Sequence, residues 1–136
     1  MAKFAATDYR VSINGTNFST NLNSVELAIE SDDLETTAFG GEFRTRVGGL
    51  KTGSVTLQFM QDFGSSSVDA TLFPLLNTLA TVVIVPTSGT VNSTNPSYTA
   101  TCLVNSYSPF ASSVGDIATL SVTWPTSGTI VRGTSA

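Results

Sequence analysis

SVELAIES, residues 24–31, and SVTLQFMQD, residues 54–62, decide the fold. In the first, Val25, Leu27 and Ile29 alternate with Ser24, Glu26, Ala28 and Glu30. In the second, Val55, Leu57 and Phe59 alternate with Thr56 and Gln58. A period of two is the signature of a half-buried strand, with apolar side chains on one face and polar ones on the other. The pattern therefore assigns Val25, Leu27, Ile29, Val55, Leu57 and Phe59 to a core. It turns Glu26, Glu30, Thr56 and Gln58 outward.

Between these strands lies a connection over residues 32–53, which contains all but the last two residues of ETTAFGGEFRTRVGGLKTGSV, residues 35–55. Nine of the sixteen charged residues of the chain fall between positions 26 and 51. The acids Asp32, Asp33, Glu35 and Glu42 run into Arg44, Arg46 and Lys51, with Phe39 and two glycine pairs among them. Ordered connections of this length are usually functional, so the segment reads as an exposed functional loop.

Outward from this centre, Tyr9 to Ile13 alternates and is followed by Asn14-Gly15, a strong hairpin signal. Val68, Leu72, Leu75, Leu76 and Leu79 in VDATLFPLLNTLA, residues 68–80, share one helical face. Ser66 and Asp69 ahead of that face resemble a capping box, and Pro74 predicts a short or bent helix. ATVVIV at 80–85 reads as a continuous apolar strand, residues 98–107 as another, and Ala118–Trp124 alternates with Leu120, Val122 and Trp124 inward. PTSGT occurs twice, at 86–90 and 125–129, each time after a strand, and predicts two similar turns. The predicted fold is mainly β: an antiparallel sandwich or half-barrel of six or seven strands, one short flanking helix and a long inter-strand loop.

Composition excludes several classes of function. The chain has 136 residues and 40% hydrophobic types, enough for one domain with its own core. Its net charge of −4 argues against a reader of nucleic acid held by phosphate contacts. No histidine is present, which removes the commonest general base and metal ligand, and with it Ser–His–Asp or Cys–His catalysis. The single cysteine, Cys102, lies in a strand-like context and reads as a buried structural thiol. Asp32-Asp33 is a carboxylate pair without the surroundings of a hydrolase site. No apolar run approaches the roughly 20 residues of a membrane span, and no signal-like run opens the chain, so a soluble protein made in a cytoplasm is expected. No catalysis, metal or cofactor is predicted.

Several phrases, in order along most of the chain, resemble the tail tube (major tail) proteins of long-tailed, non-contractile bacteriophages. They are SVELAIESDDLETTAFG (24–40), FRTRVGGLKTGSVTLQFMQDF (43–63), VDATLFPLL (68–76) and SVGDIATLSVTWPTSG (113–128). The resemblance implies a single domain over 1–136, whose loop 32–53 reaches an adjacent ring and whose termini, 1–7 and 129–136, are candidate extensions. It implies six copies in a ring, with strands completing a barrel around a channel, and rings stacked into a tube within the virion. Asp32, Asp33, Glu35, Phe39, Glu42, Arg44, Arg46 and Lys51 would then form the stacking contact, acids and bases meeting opposites on neighbours. Glu26, Glu30, Thr56 and Gln58 would line the lumen. Implied partners are the chain itself, a tape-measure protein and DNA in the lumen, and tail-terminator and tail-tip proteins at the tube ends. Assembly would take place in the bacterial host cytoplasm, with no membrane involved. A second reading is a β-sandwich binding or capsid-decoration module, in which Trp124 or Tyr107 would supply a stacking platform.

Overall fold

The computed structural model describes residues 8–65 and 67–134. Eight strands and one α-helix are present among them: β1 (Arg10–Ile13), β2 (Thr16–Asn17), β3 (Leu22–Glu35), β4 (Arg46–Met60), α1 (Val68–Leu75), β5 (Leu79–Val85), β6 (Ser97–Leu103), β7 (Thr119–Pro125) and β8 (Val131–Gly133). They form two antiparallel sheets, one of order β2-β1-β5-β6-β8 and the other β3-β4-β7. The mainly β sandwich with one helix is thus as expected, and neither sheet closes into a barrel within the chain.

The core lies where the inner faces meet. Val55, Leu57 and Phe59 of β4 and Leu120, Val122 and Trp124 of β7 pack against Val11, Ile13, Val82 and Cys102 of the other sheet. Phe18 meets Phe59 edge-on with ring centroids 5.9 Å apart. Phe18 and α1's Val68 and Leu72 complete the same cluster. Alternation predicts this inner face because neighbouring strands bring residues of one parity together. Val25 and Leu27 are only partly buried against the core. Ile29 corrects the expectation: it is 52% exposed. β3 is the edge strand of its sheet, so one flank of Ile29 has no neighbouring strand to cover it and inward parity alone does not bury it. Ile29 instead lines an open apolar trough with Tyr9, Val25, Leu27 and Ile84.

Local signals hold where the chain supplies its own geometry. Asn14 (φ 50°) and Gly15 (φ 87°) both adopt the left-handed conformation that a two-residue hairpin turn requires, and Ile13 pairs with Thr16 across it. α1 ends one residue after Pro74, shorter than the periodic face predicted. Leu76 is exposed just beyond its end, and Leu79 belongs to β5 instead. Its N-cap is Ser67, with no side-chain capping bond, and Ser66 of the expected box lies outside the described residues.

The two PTSGT copies differ. After β7, Gly128 is left-handed at φ 93°, Thr126 N–H donates to the Gly53 carbonyl at 2.9 Å, and the chain crosses to β8 in the other sheet. After β5, Gly89 is not left-handed, and the Asn95 side chain holds the turn through Thr87 N–H at 3.2 Å. The expected similarity of these turns is therefore corrected: neighbours, not the pentapeptide, select the conformation. Of the candidate terminal extensions, Val131–Gly133 is β8, paired with β6, while residues 1–7 lie outside the described residues.

Candidate functional site

The connection read as a loop over 32–53 is largely a two-stranded arm. Apolar alternation stops at Ile29, yet strand pairing carries on: β3 runs to Glu35 and β4 begins at Arg46, and residues 36–45 alone lack strand pairing. The ladder slips by one residue between Ser31/Lys51 and Asp33/Gly48, leaving Gly49 and Leu50 opposite a single β3 residue. Such a bulge bends and twists a ladder, here beyond the point where β7 stops pairing with β4. The tip is tied by Thr36 N–H to the Thr45 carbonyl at 2.7 Å and by the two threonine hydroxyls at 2.8 Å. Gly40, at φ 92°, makes the reversal.

The charges of the arm close on one another. Arg46 Nη1 donates to Asp33 Oδ2 at 2.6 Å, and Arg44 Nη1 to Glu35 Oε1 at 3.1 Å. Within a single copy, both bases thus already have acids of their own arm as partners. Register explains the Arg46 pair: Glu35 lies opposite Arg46 and Asp33 lies two residues along the same face. Exposed pairs contribute little stability, so their effect is on the shape of the arm. Asp32, Glu42 and Lys51 are exposed on the same arm.

Apolar residues occupy the rest. Leu34 lies opposite Val47, on the face away from Asp33 and Glu35, and both are half-exposed. Phe39 at the tip is fully exposed (109%), and Phe43 and Leu50 are exposed too. Of these, Phe39 alone was singled out from sequence. Leu34 has the opposite parity to Val25, Leu27 and Ile29, so the alternation gave no signal for the Leu34–Val47 pair.

The four outward residues predicted on β3 and β4 share one face. Glu26 lies opposite Thr56, Glu30 opposite Thr52, and Gln58 opposite Ser24 and Ser121. Thr56 and Thr123 hydroxyls meet at 3.2 Å, so the three-stranded sheet presents a continuous polar, acidic outer surface.

At the far end of β4 the turn is pinned. Gln61 Nε2 donates to the Pro109 carbonyl at 3.0 Å and to Tyr107 Oη at 3.2 Å, and Tyr107 O–H donates to Asp69 at 2.7 Å. Burial, together with that carboxylate, holds the Tyr107 hydroxyl above its ordinary pKa. Asp62 is held below the ordinary carboxylate value, chiefly by the Gly64 N–H and then by Ser67. Phe63 and Phe110 stack here, centroids 5.6 Å apart, on the surface. No local signal marks this pair, since its members are far apart in sequence.

Trp124 is fully buried and donates Nε1–H to the Ser106 carbonyl at 3.0 Å. Tyr107 is half-buried and bonded to Asp69. Neither offers the open ring that a stacking platform needs. Cys102 is buried, and burial pushes its thiol up to about 11, as befits a structural thiol. Among the described residues, no group of three His, Cys, Asp or Glu side chains could hold a metal ion, and no helix is long and apolar enough to cross a membrane.

No family model and no curated protein matches the chain. Solved structures do. A chain of the virion of a native gene transfer agent particle superposes with a TM-score of 0.77 at 11% identity, over 96% of this chain and 98% of that one. A chain from the tail of an empty gene transfer agent particle, of C6 symmetry, superposes with a TM-score of 0.65 at 12% identity, over 82% and 81%. At these identities the likeness is one of fold: this chain has the fold of chains found in those particles.

Proposed function

We propose that the protein is a structural subunit of a phage-like tail tube, without catalytic activity, whose copies form hexameric rings stacked around a channel. The observation that carries this is the near-complete superposition, end to end on both chains, with a virion component, alongside the match to a chain of a C6-symmetric tail. The sheet edges support it. β3 presents a 14-residue outer edge and β7 forms the other edge of the same sheet. Open edges are an association hazard that ring closure would remove by pairing one copy with the next.

In that ring the acidic outer face of β3-β4-β7 would line the channel. Glu26 and Glu30, with Thr56 and Gln58, would repel phosphates and keep transiting DNA from sticking. A tape-measure protein would occupy the lumen before DNA, and terminator and tip proteins would cap the tube, assembly taking place in the host cytoplasm. The arm over 32–53 would contact the adjacent ring. Negative-stain microscopy of purified protein across a concentration series tests the proposal. Rings with a central hole, or tubes, with sixfold averages are the expected result; a monomer at every concentration, or rings of another order, would overturn it.

A further inference from the structure

We infer that the arm of one copy docks, through its apolar residues, on the Phe63–Phe110 stack of a second copy; this rests on the stacked-ring reading and names its contact. The two surfaces lie at opposite ends of one ladder. The 15 residues of β4 run from the tip of the arm, with Phe39 and Phe43, to the turn that carries Phe63. At about 3.3 Å per residue this separates them by roughly 45 Å. An arm therefore cannot fold back on its own stack, and a second copy can supply what each end lacks.

The platform is built in advance. Phe63 and Phe110 stack at 28° with Phe110 83% exposed, and the bonds from Gln61 to Pro109 and Tyr107 fix the loop beneath them. Ile117, exposed, precedes Ala118, whose carbonyl accepts from Gln61 N–H at 2.8 Å. The arm brings Phe39 and Phe43 at its tip. Its four paired charges close within the arm, so docking leaves those charges needing no counter-charge from the neighbour. Two unlike apolar surfaces at opposite ends make a heterologous contact that repeats without closing, which is the geometry of an open stack. A foreign partner would cover one end and leave the other in water; a second copy covers both.

Two double variants test this, Phe39→Ser with Phe43→Ser and Phe63→Ser with Phe110→Ser, each checked for a native circular dichroism spectrum. All four positions are exposed, so the sandwich should persist. Each variant alone should give single rings and no tubes by negative-stain microscopy. Preformed rings of the two, mixed, should give paired rings that grow no further, because each pair retains one live arm–platform contact. Normal tubes from either variant, where wild type also forms tubes, would overturn the docking site and leave the stacked-ring reading standing. A wild type that forms neither rings nor tubes overturns both. Independently of variant folding, Phe43→Cys with Phe110→Cys should oxidise into a ladder of dimers, trimers and higher species in wild-type-like tubes; absence of the ladder there would also overturn the contact. The buried Cys102 should not compete.

Discussion

Arg46 reaches across thirteen residues of chain to donate to Asp33 at 2.6 Å, within the same arm. It sits opposite Glu35, so one guanidinium faces two carboxylates on one side of the ladder, while Leu34 and Val47 hold the other. Arg46→Glu should place three acids together and loosen the arm by about 0.2–1 kcal/mol per like-charge contact. Amide hydrogen exchange over the arm should accelerate while protection in β5 and β6 stays unchanged. Exchanging the partners, Asp33→Arg with Arg46→Asp, should restore protection. An exchanged variant as unprotected as the single one would show that the pair does not organise the arm.

At Gly53 of β4 the chain crossing between the sheets is in tight contact, with Thr126 N–H donating to its carbonyl at 2.9 Å. A Cβ there would lie 2.6 Å from Ile130 Cδ1 and 2.9 Å from the Ala28 carbonyl. The isoleucine tip can move; the strand carbonyl cannot. Gly53→Ala should cost about 1–3 kcal/mol in denaturant unfolding, as overpacking does. Adding Ile130→Ala should recover only part of the cost of the clash. Full recovery in a double-mutant cycle would assign the clash to Ile130 alone.

Trp124 is the only tryptophan, so its emission reports one site. Full burial predicts blue-shifted fluorescence that acrylamide barely quenches, in isolated and assembled protein alike. Trp124→Ala should cost about 3–5 kcal/mol, as large aromatic truncations do. Emission near that of free tryptophan in the folded protein would contradict the burial.

Asp62 accepts from Gly64 N–H at 2.9 Å, which lowers its folded pKa below the unfolded value. A carboxylate of this kind stabilises the fold at pH values above its unfolded pKa, and the contribution fades as pH falls through the lower, folded one. Asp62→Asn should therefore be less stable than wild type at neutral pH, with the gap shrinking as pH falls below the ordinary carboxylate range. A gap independent of pH would assign the loss to geometry instead of charge.

Glu26 and Glu30 are exposed on the outer face of the three-stranded sheet, away from the core. Glu26→Lys with Glu30→Lys should leave the melting temperature within a few degrees, since exposed substitutions usually change stability by about 0.5 kcal/mol or less. Under the proposed function, rings and tubes should still form, while delivery of DNA by assembled particles falls. Unchanged delivery would remove these acids from any role in a channel.

The sequence by itself determined the central strands of the sandwich, their inner faces and the Asn14-Gly15 turn, because each depends on residues adjacent in the chain. Period-two alternation placed Leu57, Phe59, Leu120, Val122 and Trp124 in the core, and it also turned Glu26, Glu30, Thr56 and Gln58 onto one outer face. Tertiary structure decided the rest. Ile29 has core parity but is exposed, since it sits on an edge strand with no neighbouring strand to cover its open flank. Arg46 finds Asp33 within its own arm because ladder register, invisible to local pattern, sets it opposite Glu35 with Asp33 two residues along the same face, and Arg44 bonds Glu35 from the turn next to the ladder's end. PTSGT folds in two ways because residues outside the pentapeptides, Asn95 later in the same loop and Gly53 on a distant strand, offer different bonds. Phe63 and Phe110 meet only where the ends of distant loops converge. Short-range sterics and side-chain parity are written into neighbouring residues; exposure, register and long-range pairing exist once the sheets are in place.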